Sequence, residues 1–152
     1  MKNRTIYYLG LFSYLVALAI YILGLSGCKN KTEDPDPLEV QLEKLMNGTS
    51  DWALGSVVKD GYDVTSDFEG FTLKVGRYTY TTKNSLPTAW PSSGTWQFVD
   101  DDPTKVLRDE STMVDVNLTD TQLILTFSVS GLNTGGRAAG IDGQYVFTLV
   151  SN

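Results

Sequence analysis

The sequence contains no histidine and only one cysteine, Cys28, in 152 residues. Without histidine, the chain cannot use that side chain as a general acid or base, in a nucleophilic triad or as a zinc ligand. A single cysteine forms neither an internal disulfide nor a cluster of thiolate metal ligands. The two absences exclude many hydrolases, most zinc proteins and the disulfide-stabilised secreted domains.

Basic residues are also scarce, with 12 Lys+Arg against 18 Asp+Glu and a formal net charge of −6. Proteins that bind nucleic acid usually present a basic face to the phosphate backbone. We therefore predict no nucleic-acid partner. The length is sufficient for one domain, because domains most often contain roughly 100–150 residues.

Sequence patterns for catalysis and metal binding are weak. The chain has no Gly-x-Ser-x-Gly nucleophile elbow. The adjacent carboxylates Asp100, Asp101 and Asp102 are interpreted as a solvated turn, because a calcium site needs about six to eight oxygen ligands at defined spacing. No pair of carboxylates stands out as the acid and nucleophile of a glycosidase, so a hydrolase is the third hypothesis. We predict that the protein is not an enzyme and holds no metal or cofactor.

A long apolar run lies at the start of the chain. Lys2 and Arg4 are followed by the uncharged stretch Ile6–Leu25. Such a run is either a transmembrane helix, which needs about 20 apolar residues, or the apolar region of a signal peptide that follows a basic start. The residues that come next decide between the two.

The sequence Leu25-Ser26-Gly27-Cys28 resembles the bacterial lipobox, in which a leucine and two small residues precede a cysteine that is lipidated. The resemblance implies that a peptidase removes a signal peptide at 1–27. It also implies that Cys28 becomes the mature N-terminus and carries a covalent diacylglycerol and an N-acyl chain such as palmitate. Several acyl chains hold a protein on a membrane far more firmly than one. We therefore predict that the lipid anchor at Cys28 attaches the protein to a membrane.

Residues 28–37 are predicted to form a polar, flexible tether. Residue 29 is Lys rather than Asp, which by resemblance to lipoprotein sorting rules predicts the outer rather than the inner membrane. The acidic residues Glu33, Asp34 and Asp36 resemble the surface-export signal of Bacteroidetes-type lipoproteins, and a merely soluble linker is the alternative. We expect a lipid anchor in the bacterial cell envelope. The domain then faces either the periplasm or the cell exterior, and the sequence does not decide between the two.

The chain from Cys28 onward has 125 residues and carries 10 basic and 18 acidic side chains, hence a net charge of −8. Its spacing of apolar residues predicts a short helix over Leu38–Met46, ended by Asn47-Gly48. From Asp51 the apolar residues alternate with polar ones, which predicts six or seven short strands joined by hairpins. Antiparallel strands in this pattern close into a barrel or sandwich, so the predicted fold of 38–152 is all-β.

Four short segments, in this order, carry a family resemblance: Phe68–Leu73, Gly94–Phe98, Leu118–Leu125 and Gly143–Phe147. Together with the lipobox, they resemble the small lipocalin-like lipoproteins of Bacteroidetes-type bacteria. The resemblance implies a lipocalin-like β-barrel made from an antiparallel meander, with a short N-terminal helix after the signal peptide. True lipocalins have Gly-x-Trp near the start, where this chain has Ser50-Asp51-Trp52, and usually disulfides, which a single cysteine cannot form. The resemblance therefore implies no particular ligand residues.

Trp90 and Arg137 are the candidate ligand-binding residues. Trp90 lies in a loop between Pro87 and Pro91, where it is either exposed at a barrel mouth to stack on a sugar or cover an apolar ligand, or folded back on the core. Arg137 is the only charge in the glycine-rich loop at 131–140 and could reach a ligand carboxylate or phosphate. Trp52 and Trp96 lie at alternating positions of predicted strands, so both are predicted to lie in the core.

These observations predict a membrane-anchored protein that binds a small apolar molecule or a glycan without catalysis. The alternative is a structural or accessory lipoprotein that has a filled core and contacts protein partners. A barrel interior packed solid would contradict ligand binding, whereas an apolar cavity beneath Trp90 would favour it.

Overall fold

The computed structural model describes residues 34–48, 50–130 and 140–151. The predicted signal peptide at 1–27, Cys28 and Arg137 lie outside the described residues, as does most of the predicted tether. The elements described below belong to one compact unit, Pro35–Asn152. Within the described ranges, no helix combines the length and the apolar composition that a membrane span requires.

The first element is helix α1, Pro37–Met46, and its ends follow from the sequence. A carboxylate oxygen of Asp36 accepts a hydrogen bond of 2.9 Å from the backbone N–H of Leu38, which caps the start of the helix. Proline suits the first helical position because its fixed φ matches the helix and its missing N–H would have no partner there. Asn47 ends the helix in the left-handed conformation at φ 48°. The predicted helix is confirmed, starting one residue earlier.

Nine strands and one short 3₁₀ helix follow. The strands are β1 Trp52–Lys59, β2 Tyr62–Asp63, β3 Thr72–Gly76, β4 Thr79–Lys83, β5 Ser93–Val99, β6 Asp102–Arg108, β7 Thr112–Leu118, β8 Gln122–Val129 and β9 Gly143–Ser151, and the 3₁₀ helix spans Thr65–Phe68. Short turns join β1 to β2 at Asp60-Gly61 and β7 to β8 at 119–121, in agreement with the predicted hairpins.

The sheet is an antiparallel meander that closes on itself. From β3 to β9 each strand pairs with the next, and β1 pairs with both β3 and β9. The β1–β9 ladder runs from Trp52 opposite Ser151 to Lys59 opposite Tyr145. The short β2 pairs only with the end of β1, so β1 and β3–β9 form an eight-stranded barrel. The predicted all-β, lipocalin-like barrel fold is therefore confirmed.

Closure depends on a bulge at Gly55. The register between β1 and β9 shifts between Leu54 and Ser56, on either side of this glycine. A Cβ atom at position 55 would lie 2.9 Å from the backbone oxygen of Thr148 on β9. Glycine therefore allows the two backbones to approach where the strand bends to complete the barrel.

Helix α1 closes one end of the barrel, called the helix end below. Its buried side chains are Leu42 and Leu45. The indole N–H of Trp52, at the start of β1, donates a 2.8 Å hydrogen bond to the backbone oxygen of Leu45. Trp52 is 2% exposed, and Trp96 on β5 is 6% exposed. The prediction that both tryptophans belong to the core is confirmed.

The opposite end, called the aromatic end, is filled by rings. Phe68 of the 3₁₀ helix packs edge-on against Phe147 of β9, with ring centroids 4.9 Å apart. Phe71 contacts the same ring at 5.3 Å, and Tyr145 stacks on Phe127 at 5.5 Å. Such edge-to-face and offset contacts stabilise aromatic clusters beyond the area they bury. This end of the barrel is solidly packed.

The strands outnumber the six or seven that were predicted. Strand β4, Thr79–Lys83, and the first half of β6, Asp102–Arg108, are mostly polar. Their own hydrophobic pattern is weak, and hydrogen bonds to neighbouring strands hold these segments extended. The two-residue β2 is too short to show any pattern.

Candidate functional site

Trp90 is folded into the barrel. The loop at 84–92, between β4 and β5, turns back at the aromatic end, and the Trp90 side chain is only 4% exposed. Its backbone N–H donates to the oxygen of Leu86 at 2.8 Å, and the hydroxyl of Thr82 donates to the oxygen of Pro91 at 3.0 Å. Of the two positions that the sequence left open for Trp90, the structure shows the one on the core.

Aromatic rings surround the indole. The ring centroid of Trp90 lies 5.8 Å from that of Tyr80, 5.1 Å from that of Phe127 and 5.9 Å from that of Phe147. These three residues belong to different strands. Trp90 therefore joins the loop to the barrel wall on several sides.

Arg108, the last residue of β6, is a charged residue that packs against Trp90. It is 5% exposed, and it is the one buried polar or charged residue among those described. Its guanidinium carbon lies 4.2 Å from the ring centroid of Trp90 and 4.9 Å from that of Phe127. A guanidinium this close to two aromatic rings forms cation–π contacts with both.

The polar surroundings of Arg108 satisfy only part of its hydrogen-bonding capacity. Its Nη2 donates to the backbone oxygen of Ala89 at 3.2 Å, and its Nε lies 3.7 Å from Oδ2 of Asp109. In the described part of the chain, Nε and Nη1 of Arg108 and Nε1 of Trp90 are buried without a hydrogen-bond partner. Burial lowers the pKa of Arg108, and the nearby Tyr80 and Asp109 oppose that shift.

Asp109 holds this end of the barrel together. Its Oδ2 accepts a 2.6 Å hydrogen bond from the hydroxyl of Tyr80, and its Oδ1 accepts one of 3.0 Å from the backbone N–H of Thr95. Burial raises the pKa of Tyr80, and the hydrogen bond to Asp109 raises it further. Tyr80 therefore stays protonated and donates its hydrogen bond at all ordinary pH values.

An apolar cavity of about 40 Å³ lies between Trp90 and helix α1. Its wall is entirely apolar, and it reaches from Leu45 at the helix end to Trp90 and the hydrocarbon part of Arg108. Val114 and Val116 of β7 form one side. Pockets for typical small-molecule ligands measure about 300–1,000 Å³. The cavity is thus small by comparison.

An open groove of about 520 Å³ lies on the other side of Arg108. Thr88 of the loop, Thr112 of β7, Ser128 of β8 and Gln144 of β9 contribute to its wall. Among the described residues, Arg108 is the one that lines both the groove and the cavity. Its side chain therefore separates the barrel interior from the outside.

The acidic turn has a structural explanation. Asp100 and Asp101 have φ values of 53° and 56°, typical of a tight hairpin. Oδ1 of Asp102 accepts hydrogen bonds from the backbone N–H and the hydroxyl of Thr104, and these bonds lower the pKa of Asp102. Across the described ranges, no three His, Cys, Asp or Glu side chains converge in a way that could hold a metal ion.

The sequence predicted one of the two residues that meet here. Trp90 was a candidate, whereas Arg108 was missed, although it alternates with Val106 on β6 and so shares the inward face. Arg137 and Cys28 lie outside the described residues, and their roles stay predictions. Comparisons of this chain with protein-family models, with curated proteins and with solved structures found no match.

Proposed function

We propose that this protein is a lipid-anchored lipoprotein of the bacterial cell envelope whose barrel binds a small apolar molecule without catalysis. The apolar cavity beneath Trp90 is the observation that carries the binding part of the proposal. The barrel fold supports it, because closed antiparallel barrels enclose ligand cavities. The resemblance to small lipocalin-like lipoproteins supports the class.

The chemistry of the cavity favours an apolar molecule over a glycan. Sugar hydroxyls that enter an apolar cavity lose their hydrogen bonds to water without replacement, which is unfavourable. A hydrocarbon gains free energy there, about 0.8 kcal/mol for each buried methylene. Because the cavity is small, a ligand of more than a few atoms has to push back the side chains that surround it, among them Val116 and Leu45.

A series of straight-chain alcohols tests the binding. We expect n-butanol, n-pentanol and n-hexanol to bind the full chain in lipid nanodiscs in a one-to-one ratio, with empty nanodiscs as the blank. The affinity should rise with each methylene until the cavity and its deformable wall are filled. Calorimetric or nuclear magnetic resonance titration gives the dissociation constants.

Two phenylalanine substitutions locate the alcohol. Val116 is buried at the cavity wall, whereas Val146 lies on the outward face of β9. Val116→Phe should weaken binding about tenfold or more by occupying the cavity, and Val146→Phe should leave it unchanged. Saturable binding that is equal in both variants would place the alcohol elsewhere and contradict the proposal.

The second candidate is a structural or accessory lipoprotein that binds no ligand in its barrel. The solid packing of the aromatic end and the small volume of the cavity favour it. The same titration separates the two functions, because a filled barrel binds none of the alcohols. The partner would then be another protein.

The lipid anchor has its own test. Metabolic labelling with palmitate should mark the wild-type protein and the variant Ser26→Ala, which keeps a small residue in the lipobox. Cys28→Ala should lose the label, because the thiol that forms the thioether is gone. Persistent labelling of Cys28→Ala would contradict lipidation, and recovery in the outer-membrane fraction tests the location that Lys29 predicts.

A further inference from the structure

Three buried hydrogen-bond donors at the aromatic end have no acceptor among the described residues. They are Nε and Nη1 of Arg108 and Nε1 of Trp90. Buried polar groups are nearly always hydrogen-bonded, because leaving one without a partner is costly. All three groups are donors, and two of them belong to a cation, so an acceptor that carries a negative charge suits them.

Arg108 forms an ion pair with Asp109 but no hydrogen bond to it. Oδ2 of Asp109 lies 3.7 Å from Nε of Arg108, beyond hydrogen-bond distance. The two oxygens of Asp109 instead accept hydrogen bonds from the hydroxyl of Tyr80 and the backbone N–H of Thr95. A second carboxylate at the guanidinium would therefore meet donors that Asp109 does not engage.

The position of Arg108 determines how a ligand would lie. Its side chain borders the apolar cavity on one side and the open groove on the other. A molecule with an acidic group at one end and a hydrocarbon at the other matches this arrangement. Its acidic group would meet Arg108, and its hydrocarbon would extend past Trp90 toward the helix end.

We propose that the apolar ligand carries a single carboxylate, which accepts hydrogen bonds from Arg108 and from the indole N–H of Trp90. This inference rests on the proposed function, since the hydrocarbon occupies the same cavity. The guanidinium carbon lies 4.2 Å from the centroid of the indole ring, whereas the indole N–H projects from the edge of that ring, so the guanidinium has to shift for one carboxylate to bind both groups. Charge-assisted hydrogen bonds then replace a cation–π contact, and they are the stronger of the two interactions.

A matched pair of ligands tests the carboxylate. Hexanoate and n-hexanol have the same chain length and differ in the charged group, and both are titrated against the full chain in lipid nanodiscs near neutral pH. We expect hexanoate to bind at least about tenfold more tightly than n-hexanol. Equal affinities would overturn the carboxylate and leave the proposed function standing. Failure of both to bind would overturn the proposed function itself.

Variants assign the preference to particular residues. Arg108→Met, which keeps the length of the hydrocarbon, should remove the preference for hexanoate while n-hexanol still binds. Lys105→Met removes the same charge from an exposed position on the same strand and should leave the preference intact. Trp90→Phe keeps an aromatic ring without the N–H and should weaken hexanoate more than n-hexanol.

The outcomes separate a ligand site from the alternatives. If Lys105→Met reduces hexanoate binding as much as Arg108→Met does, the attraction is a general surface effect and the proposal is wrong. If Arg108→Met keeps the full preference, the carboxylate binds elsewhere and the proposal is again wrong. Urea denaturation checks folding, and Arg108→Lys provides a second variant that retains the charge but loses the planar fork, so it should bind hexanoate with intermediate affinity.

Discussion

At the scale of single residues, Gly94 on β5 lies in a tightly packed position at the aromatic end. This residue lies opposite Tyr80 on β4. A Cβ atom at position 94 would lie 2.7 Å from the hydroxyl of Tyr80 and would overlap Oδ1 of Asp109. The glycine therefore makes room for the hydrogen bond between these two side chains.

Gly94→Ala should destabilise the protein, because the added methyl forces Asp109 away from Tyr80. We expect a loss of about 1–3 kcal/mol in the free energy of unfolding, typical of overpacking. Gly140→Ala is the control, since a Cβ atom there has no neighbour within 4 Å. Urea denaturation of the purified full chain measures both, and equal stability of the two variants would show that the contact is easily relieved.

The residues of the site also show what the sequence could not reveal. A tryptophan between two prolines is conspicuous, but nothing in that loop indicates whether the indole faces solvent or the core. The inward position of Arg108 follows from its alternation with Val106, yet a charged residue at the end of a strand is usually exposed. Its burial depends on Trp90 and Phe127, which lie far away in the sequence.

At the scale of secondary structure, helix α1 contributes to stability through the face that it packs on the barrel. Leu42 is 2% exposed, whereas Val40 is 36% exposed. Leu42→Ala should lower the free energy of unfolding by about 2–5 kcal/mol, because it removes buried methyl groups and leaves a cavity. Val40→Ala should cost about 0.5 kcal/mol or less. If urea denaturation gave equal losses, the helix would not be docked on the barrel as described.

The turn that follows β1 links the two strands that close the barrel. Oδ1 of Asp60 accepts a 2.9 Å hydrogen bond from the backbone N–H of Gln144, and Oδ2 forms an ion pair with Lys59 at 2.9 Å. The backbone N–H of Gln144, and then Lys59, lower the pKa of Asp60 below its ordinary value of 3.8. The charged form of Asp60 thus stabilises the folded state.

Asp60→Asn should lower the unfolding midpoint near neutral pH, because the amide accepts the hydrogen bond without the charge. A carboxyl whose pKa is lowered by folding stabilises the protein above its unfolded pKa and loses that effect as the pH falls through its folded pKa. The difference between the wild type and Asp60→Asn should therefore shrink as the pH falls below 3.8.

The control for the lost charge is Asp115→Asn, which removes one charge from an exposed position on β7. Near neutral pH its unfolding midpoint should differ from that of the wild type by less than the midpoint of Asp60→Asn does. Midpoints of thermal unfolding, followed by circular dichroism over the acidic range, give both profiles. A difference at Asp60 that persists at the lowest pH would contradict the assigned role of the charge.

Most of the strands were predictable because each has one apolar face. In β7 and β8 buried and more exposed residues alternate regularly along the strand. The polar β4 and the bulge at Gly55 were less predictable, since they depend on hydrogen bonds to strands distant in the sequence. Local patterns indicated the elements, but the packing at the two barrel ends required the whole fold.

At the scale of the whole molecule, the two ends of the barrel are closed differently. Helix α1 covers one end with leucine side chains, and the loop that carries Trp90 fills the other together with aromatic rings. The cavity remains between these closures. A barrel fold alone does not determine function, because the same architecture serves many activities. The proposal of a ligand with a carboxylate therefore rests on the buried donors of Arg108 and Trp90 rather than on the fold.

The signals of the three indole N–H groups provide the most direct test of the binding site. Trp52 and Trp96 donate to backbone oxygens, whereas Trp90 has no acceptor among the described residues. In the full chain with isotope-labelled tryptophan, with signals assigned by single Trp→Phe variants, hexanoate should shift the Trp90 signal far more than the other two. Saturation with hexanoate that leaves the Trp90 signal unmoved, or no binding at all, would contradict a carboxylate site in the barrel.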